Sequence, residues 1–447
     1  MNLKSFSVYV KHRLPAFNKV IEVDSDKSLS IRSFLIGSLC QGVSSVKNAL
    51  ESGDVKHTIS VLKKLGVKII RIKKGYYKIF GNGIGSFNIK KNSLLDFGNS
   101  GTASRLILGA LSTSPDIEVK IKGDKSLNKR NMGELINILS KFGATFLPKG
   151  KVKFPLKMIS SNMPIGINYS AGVSAQLKSA VIFAGLNSLG NTIINEKKES
   201  RDHTENILKN NKQTIKINKK KQKTITVYGK KSLNPINMNI SGDPSSAAFF
   251  VTLTLLNKNS KIKIKNVGIN PTRTGFYEIL KKQKAKLKFM NIKKENNEIR
   301  GDILAKSCKL KPITTPSDFY SKTTDEYLLL FVLAALTKGV STFNNISQLQ
   351  NKESSRAFEM KKILNQIGIK CKLTNSVMKI YGKGFIDASD KKINISSLHD
   401  HRVAMCGFIL ASLTNAKTTI KGFETVFSSF PSFLKIIKYL GGRYAIK

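Results

Sequence analysis

The sequence predicts an α/β fold of six repeated units in two domains, and three observations predict it. First, one phrase recurs six times: a short turn of Ser, Thr, Asp, Asn or His runs straight into an apolar helix. The copies are roughly 70 to 80 residues apart, a period that marks repetition of one supersecondary unit. Second, most copies are followed by a more amphipathic stretch ending near Gly or Ala, such as ISVLKKLGV, LINILSKFGA, YEILKKQKA, MKKILNQIGI and LKIIKYLGG. Third, short β-branched runs lie between the helices (TIIN, IKIK, ITVYG, VSTFNNI, TTIKGF), several closing on Gly as strands do at turns. The unit therefore reads strand, helix, strand, helix, strand.

The first copy, DKSLSIRSFLIGSL from Asp26, puts Lys27 and Ser28 at a helix start and Arg32 one turn later on the same side. A Lys, a hydroxyl and an Arg beside open backbone N–H groups suit a carboxylate or a phosphate. The motif alone also reads as a plain Ser cap with surface basic residues. The second copy, GNSGTASRLILGAL from Gly98, is more specific. Gly98 and Gly101 allow close backbone approach, Asn99, Ser100 and Thr102 offer hydrogen bonds, and Arg105 follows at helical spacing. It reads equally as a phosphate loop and as a helix cap. The glycine-rich GNGIGS from Gly81 follows a strand but leads into no helix, so it is expected to be a hairpin turn. The third and fourth copies are GVSAQLKSAVIFAGL from Gly172 and GDPSSAAFFVTLTLL from Gly242.

The fifth copy, TDEYLLLFVLAAL from Thr324, opens on two carboxylates, Asp325 and Glu326, which at a helix start can be simple dipole-favoured caps. Downstream, KESSR places Lys352 and Arg356 four apart on an expected helix face. Glu353 is adjacent, able to give or take a proton beside two cations. The ordinary alternative is a surface ion-pair helix. The sixth copy, HDHRVAMCGFILASL from His399, holds His399, Asp400, His401 and Arg402. His-x-His at a helix start does not converge on a metal by itself, so no metal is expected and Arg402 is taken as the functional member.

At 447 residues the chain is too long for one ordinary core. With three repeats on each side of residue 240, one domain is expected to span 26–240 and the other 1–25 with 241–447. The apolar helices would lie at each domain's centre, with their polar starts facing the cleft between domains. The net charge of +48 invites a nucleic-acid reading. Lys is spread through almost every segment, however, which fits solvated surface charge better than a polyanion patch. The densest run, Lys219-Lys220-Lys221 with Lys223, lies between strand-like QTIKIN and KTITVY and reads as an exposed hairpin turn. The four cysteines, Cys40, Cys308, Cys371 and Cys406, have no metal or redox spacing. Cys40 and Cys406 read as buried apolar residues, which fits a reducing cytoplasm. The N-terminal stretch has no apolar signal core. The run Tyr327–Leu336, ten residues long, is short of the ~18 a membrane span needs and is expected to be a buried helix.

Ten motifs in order along nearly the whole chain resemble the 5-enolpyruvylshikimate-3-phosphate synthase family of enolpyruvyl transferases. They are DKSLSIR, LDFGNSGTASRL, the KR of SLNKRNMG, SAQLKSA, ESRDHTE, SGDPSSAA, TDEY, KESSR, DHRVAMC and SSFP. The resemblance implies two similar domains, each of three βαβαββ units with buried helices and outer sheets, closing over substrate. It implies transfer of an enolpyruvyl group from phosphoenolpyruvate to the 5-hydroxyl of shikimate 3-phosphate, with release of phosphate, no cofactor and no covalent intermediate. Both substrates are anions, which accounts for the cations and helix starts.

Position by position, the resemblance assigns Lys27, Ser28, Arg32, Ser174, Ala175, Gln176, Ser200, Arg201, Asp325 and Lys352 to shikimate 3-phosphate. It assigns Lys27, Gly101, Arg130, Gln176, Arg356 and Arg402 to phosphoenolpyruvate. Asp325 would take the proton of the 5-hydroxyl, and Glu353 with Lys352 would handle the proton at the phosphoenolpyruvate methylene. The family's inhibitor glyphosate is expected at the phosphoenolpyruvate site, with Gly101 leaving it room.

The chain departs from the family pattern at Asn131 (usually Pro), Gln350 and Ser355 (an Arg and an Asp), and Ser428 (a Lys in many members). The sister transferase acting on UDP-N-acetylglucosamine uses a Cys on the loop where GDKSLNKR has Lys125, and no Cys lies nearby. An RNA-binding or RNA-end-processing protein on the same repeat fold is the alternative from another class. The expected partners are the two small substrates, with no nucleic acid and no membrane, in a cytoplasmic monomer.

Overall fold

The computed structural model describes residues 5–219, 222–316 and 318–447, with Asn351 described in its backbone alone. All six apolar phrases fold as helices: Lys27–Leu39, Gly101–Leu111, Ala175–Leu186, Pro244–Leu256, Tyr327–Ala335 and His401–Thr414. Five begin where the sequence supplies a capping side chain. Asp26 accepts from Leu29 N–H, Ser100 from Ala103 N–H, Ser174 from Leu177 N–H, Asp243 from Ser245 N–H and Asp400 from Arg402 N–H. These helices are apolar nearly all round and are buried accordingly. The second helix of each repeat is Gly53–Lys64, Gly133–Ser140, His203–Leu208, Gly275–Lys282, Arg356–Gln366 or Phe433–Tyr439. Most of these bury a single face. His203–Leu208 is the one the sequence pattern missed; it has six residues, too few to display a helical period.

The described strands form six sheets. In one, Ser93–Asp96 runs parallel to Glu118–Lys122, which is antiparallel to Leu156–Ile159, itself antiparallel to Thr145–Leu147. With helices after the first and second strands, this is a βαβαββ unit. The third repeat has the same order in Asn168–Ala171, Asn191–Glu196, Lys223–Tyr228 and Ile215–Asn218. Other repeats borrow a strand. Asn237–Asn239 completes the sheet of Gln41–Lys47, Asn18–Glu22 that of Lys261–Gly268, and Ser7–Val10 that of Lys417–Lys421. The sheet of Gly339–Phe343 has three strands, with Thr314 bridging parallel to Thr342 at its edge.

The chain divides into two compact units: Ser25–Ile240 with Lys294–Glu298, and the chain up to Asp24 with Ser241–Lys293 and Ile299–Lys447. Each has its own apolar core. In the first, Phe34, Leu106, Leu111 and Phe183 are fully or almost fully buried. There a Cβ on Gly109 would fall 2.5 Å from the Ala180 carbonyl oxygen, so the helices of the second and third repeats meet backbone to backbone where only glycine fits. In the second unit, Phe250, Phe408, Phe430 and Phe433 pack edge to face, as in the pair Phe408–Phe433 at 5.5 Å and 88°. Full burial of each such ring is worth about 2–3 kcal/mol.

Three local expectations are corrected. Gly81–Ser86 is not a hairpin turn: the strand Tyr76–Asn82 ends there, and the next strand, Ser93–Asp96, belongs to a different sheet. Lys352 and Arg356 do not share a helix face. The helix begins at Arg356, and Lys352 is extended, after the short turn Ser347–Asn351. Of the basic run, Lys220 and Lys221 lie outside the described residues. Lys223 opens the strand Lys223–Tyr228 with its side chain only 9 % exposed, inside an ion-pair cluster and not in solvent.

Candidate active site

In the unit Ser25–Ile240, the starts of three buried helices carry the candidate residues. Lys27 and Ser28 are half-buried on the first turn of Lys27–Leu39, and Lys27 Nζ pairs with Asp54 Oδ2 at 2.8 Å. Arg32 is almost wholly buried. Its Nε donates to Thr204 Oγ1 at 2.8 Å, Nη2 to Ser179 Oγ at 3.3 Å and Nη1 to the Ser28 carbonyl at 3.1 Å. Arg32 thus ties the first helix start to the third helix and to His203–Leu208.

Gly101 opens the second repeat helix between two arginines. Arg105 Nη1 donates to the Gly101 carbonyl at 2.9 Å and to Gln176 Oε1 at 3.0 Å, and Gln176 Nε2 donates to Thr102 Oγ1 at 2.9 Å. Arg130 Nη2 donates to Asn99 Oδ1 at 2.7 Å. A Cβ on Gly101 would lie 2.7 Å from Arg130 Nη1 and 2.8 Å from Arg105 Nη1. Two guanidinium groups beside a helix start could hold an anion. Ser174, Ala175 and Gln176 open the third helix, half-buried. Ser200 is buried, and its hydroxyl donates to Glu196 Oε1 at 2.6 Å. Arg201 follows it, part-exposed.

In the other unit, Asp325, Glu353, Arg356, Asp400 and Arg402 form one charged cluster. Arg356, 1 % exposed, meets Asp400 Oδ2 through Nε at 2.8 Å, Glu353 Oε2 through Nη2 at 2.6 Å and Asp325 Oδ1 through Nη1 at 3.6 Å. Burial works against the charge, but Asp400, Glu353 and Asp325 outweigh it and raise the guanidinium above its ordinary pKa. Among the described residues Arg356 Nη1 has no hydrogen-bond partner. On its other side Asp325 Oδ1 is 3.4 Å from Arg402 Nε, and Arg402 Nη1 donates to the Asp325 carbonyl at 3.1 Å. A half-buried carboxylate between two guanidinium groups at ion-pair distance is held in its ionised, proton-accepting form. Lys352 is half-buried beside Glu353 in the chain.

The sequence reading missed several partners that set this geometry. Asp400 appeared only as a doubtful metal ligand; it is fully buried and accepts from Arg356, from Ser354 Oγ at 3.1 Å and from Arg402 N–H at 3.0 Å. Asp54 and Thr204 were not singled out, because their contacts join residues 27 and 172 apart in the chain; Glu196 lies only four residues before Ser200, but no local pattern marks it. Glu326 holds the N-cap position of the helix Tyr327–Ala335, but its buried side chain makes no cap bond and accepts from Ser245 Oγ instead. The departing residues are accommodated locally. Asn131 Oδ1 accepts from Gly133 N–H at 2.7 Å, Gln350 Nε2 donates to the Asn375 carbonyl at 3.3 Å, and Ser428 Oγ donates to the Thr425 carbonyl at 2.7 Å. Ser355 precedes the helix Arg356–Gln366 without a side-chain cap bond. Among the described residues no group of three or more His, Cys, Asp or Glu is placed to hold a metal ion. No described helix is long and apolar enough to cross a membrane.

Known proteins match this arrangement over almost its whole length. The sequence model of EPSP synthase (3-phosphoshikimate 1-carboxyvinyltransferase) matches residues 14–437. The 3-phosphoshikimate 1-carboxyvinyltransferase of Paramagnetospirillum magneticum is 34 % identical over 424 residues, covering 94 % of each chain. That of Ruthia magnifica is 37 % identical over 423 residues, covering 94 % of this chain and 95 % of its own. The solved EPSP synthase of Acinetobacter baumannii superimposes with a TM-score of 0.84 at 33 % identity, covering 99 % of this chain and 100 % of that one. The enolpyruvyl transferase NikO of Streptomyces tendae shares the fold, with a TM-score of 0.76 at 11 % identity over 99 % of this chain and 98 % of its own. Six βαβαββ-type repeats, helix starts lined with cations and a family match across both units lead to one conclusion: the chain belongs to the EPSP synthase (3-phosphoshikimate 1-carboxyvinyltransferase) family and is a transferase.

Proposed function

We propose that this chain transfers the enolpyruvyl group of phosphoenolpyruvate to the 5-hydroxyl of shikimate 3-phosphate and releases inorganic phosphate. The observation that carries the reading is Asp325 held between Arg356 and Arg402 at 3.6 and 3.4 Å, with Glu353 on the same Arg356. That set supplies one carboxylate to take a proton, a second to give one, and two guanidinium groups for a doubly anionic substrate.

Asp325 removes the proton of the 5-hydroxyl as its oxygen attacks C2 of phosphoenolpyruvate. Glu353 delivers a proton to C3, giving a tetrahedral, noncovalent intermediate. The C2–O bond to phosphate then breaks, phosphate leaves with that bond's electron pair and takes up the proton held by Asp325, and the C3 proton returns to Glu353. Glu353 is paired with Arg356 at 2.6 Å, so it gives a proton readily only when an anion shares that guanidinium. Phosphoenolpyruvate binding at Arg356, Arg402, Arg130, Gly101 and Gln176 provides that anion, with Lys27 and Lys352 adding charge. Lys27, Ser28, Arg32, Ser174, Ala175, Gln176 and Arg201 take the shikimate 3-phosphate side; Ser200, which the resemblance also assigned to that substrate, has its hydroxyl bonded to Glu196 Oε1 and supports Arg201 instead, while Asp325 and Lys352 meet the 5-hydroxyl. The enzyme works in the cytoplasm as a monomer, which sedimentation of the purified chain would check.

The test is a phosphate-release assay with phosphoenolpyruvate and either shikimate 3-phosphate or UDP-N-acetylglucosamine. Release with shikimate 3-phosphate is expected. Release with the sugar nucleotide alone overturns the reading.

A further inference from the structure

Four charged side chains in the third repeat are buried and belong to no step above. Lys178, on the helix Ala175–Leu186, and Glu196, at the end of the strand Asn191–Glu196, have fully buried side chains. Glu205, on the helix His203–Leu208, is 1 % exposed in its side chain, and Lys223 is 9 % exposed. Lys178 Nζ lies 2.8 Å from Glu196 Oε1 and 2.7 Å from Glu205 Oε1. Lys223 Nζ lies 2.8 Å from Glu196 Oε2 and 3.3 Å from Glu205 Oε1. Two cations and two anions thus alternate around a closed square whose corners come from two helices and two strands.

Such a cluster is poorly explained by stability alone, since burying ion pairs costs about what their attraction returns. Among the described residues its outward hydrogen bonds go to Ser200. Glu196 Oε1 accepts from Ser200 N–H at 2.8 Å and from Ser200 Oγ at 2.6 Å, and Lys178 Nζ reaches the Ser200 carbonyl at 3.4 Å. All three polar groups of Ser200 are therefore held by the square. The neighbours of two corners act on Arg32: Ser179 follows Lys178, Thr204 precedes Glu205, and their hydroxyls, 2.8 Å apart, both accept from the Arg32 guanidinium. Glu196 is kept in its charged form: burial pushes its carboxyl up, but Lys178, Lys223 and Ser200 more than reverse this.

We infer that Lys178, Glu196, Glu205 and Lys223 are positioning residues. The square fixes the Ser200–Arg201 turn and the Arg32 guanidinium where the phosphate of shikimate 3-phosphate is bound. Ser200 acts as the latch, its hydroxyl turned inward to Glu196, and Arg201 presents the charge. This inference rests on the proposed function for its substrate, and its test separates the two.

The test uses the full chain and three variants: Lys178→Met/Glu205→Gln, which removes one charge of each sign, Lys178→Arg, and Glu196→Gln. Amide hydrogen exchange across residues 197–204 reads the latch without any substrate. It is expected to quicken in the double variant and in Glu196→Gln, and to stay near wild type in Lys178→Arg. In the double variant and in Glu196→Gln the KM for shikimate 3-phosphate is expected to rise about tenfold or more, the scale of one charge-assisted hydrogen bond misplaced, while Lys178→Arg keeps a KM near wild type. The KM for phosphoenolpyruvate and kcat should stay within about twofold of wild type, the resolution at which an energy difference becomes small. A purely structural role would lower the active fraction, hence kcat, and leave KM alone. Unchanged exchange in the folded double variant or in folded Glu196→Gln overturns the latch. Faster exchange with an unchanged KM overturns its link to substrate. Wild-type protein that releases no phosphate with shikimate 3-phosphate sinks the functional reading, while exchange still decides the latch.

Discussion

Asp400→Asn isolates the buried carboxylate that aims Arg356. Asp400 is fully buried and meets four donors: Arg356 Nε at 2.8 Å and Ser354 Oγ at 3.1 Å on Oδ2, and Arg402 N–H at 3.0 Å and Arg356 Nη2 at 3.4 Å on Oδ1. Asparagine has one acceptor oxygen, so one pair of donors is left facing an NH2 group. Asparagine caps a helix as well as aspartate, so the expected orientation keeps the bond from Arg402 N–H and gives up the one from Arg356 Nε. Arg356 then keeps Glu353 at 2.6 Å and Asp325 at 3.6 Å but loses the partner that fixed its fork. Breaking a buried ion pair from one side costs about 3–5 kcal/mol, and the retained cap places this variant near the lower end, about 3 kcal/mol. That loss should appear as a lower urea midpoint in equilibrium unfolding followed by circular dichroism. A guanidinium displaced by about 1 Å should raise the KM for phosphoenolpyruvate about 100-fold, with a much smaller change for shikimate 3-phosphate. If the folded variant binds phosphoenolpyruvate normally, Asp400 is only a helix cap and the aiming argument fails.

Other substitutions test the remaining roles. Asp325→Asn and Glu353→Gln lose no apolar volume, so each should stay folded while turnover falls by roughly 100-fold, the scale of a positioned acid or base. Shikimate 3-phosphate should still bind to Glu353→Gln in calorimetry; near-normal turnover in either variant would reduce that residue to an ion-pair partner of Arg356. Gly101→Ala puts a methyl carbon 2.7 Å from Arg130 Nη1 and 2.8 Å from Arg105 Nη1, the ends of side chains that can shift. The protein should fold, and the inhibition constant for glyphosate should rise more than the KM for phosphoenolpyruvate; equal rises would place the discrimination elsewhere. At Glu51, burial alone would raise the carboxyl, but Arg71, the Gly75 amide and Tyr77 bring it down from 4.5 to about 2. A depressed folded value means its stabilisation is present above pH 4.5 and lost as pH falls toward 2, so Glu51→Gln should flatten the stability profile in that window. An unchanged slope in acid titrations of the variant would show that this cluster does not contribute.

The sequence alone determined the repeats and their capped helix starts, because both are written in local spacing. Asp26, Ser100, Ser174, Asp243 and Asp400 each sit just before an apolar run, and a cap acts within three residues. The motifs lie at those starts, so Lys27, Gly101, Gln176 and Arg402 could be singled out before any fold was known. Tertiary structure decided what each motif residue touches. The Arg356–Asp400 pair spans 44 residues and Arg32–Thr204 spans 172. Lys223, counted as a surface charge in a basic run, became the buried corner of a square because Glu196 and Glu205 fold against it. The KESSR spacing suggested one helix carrying both Lys352 and Arg356, yet the helix starts only at Arg356, the residue held by Asp400. Local patterns record the chain's bond to its own next turn; a buried charge takes its place from whichever opposite charge the fold brings within about 3 Å, and desolvation makes that distant partner indispensable.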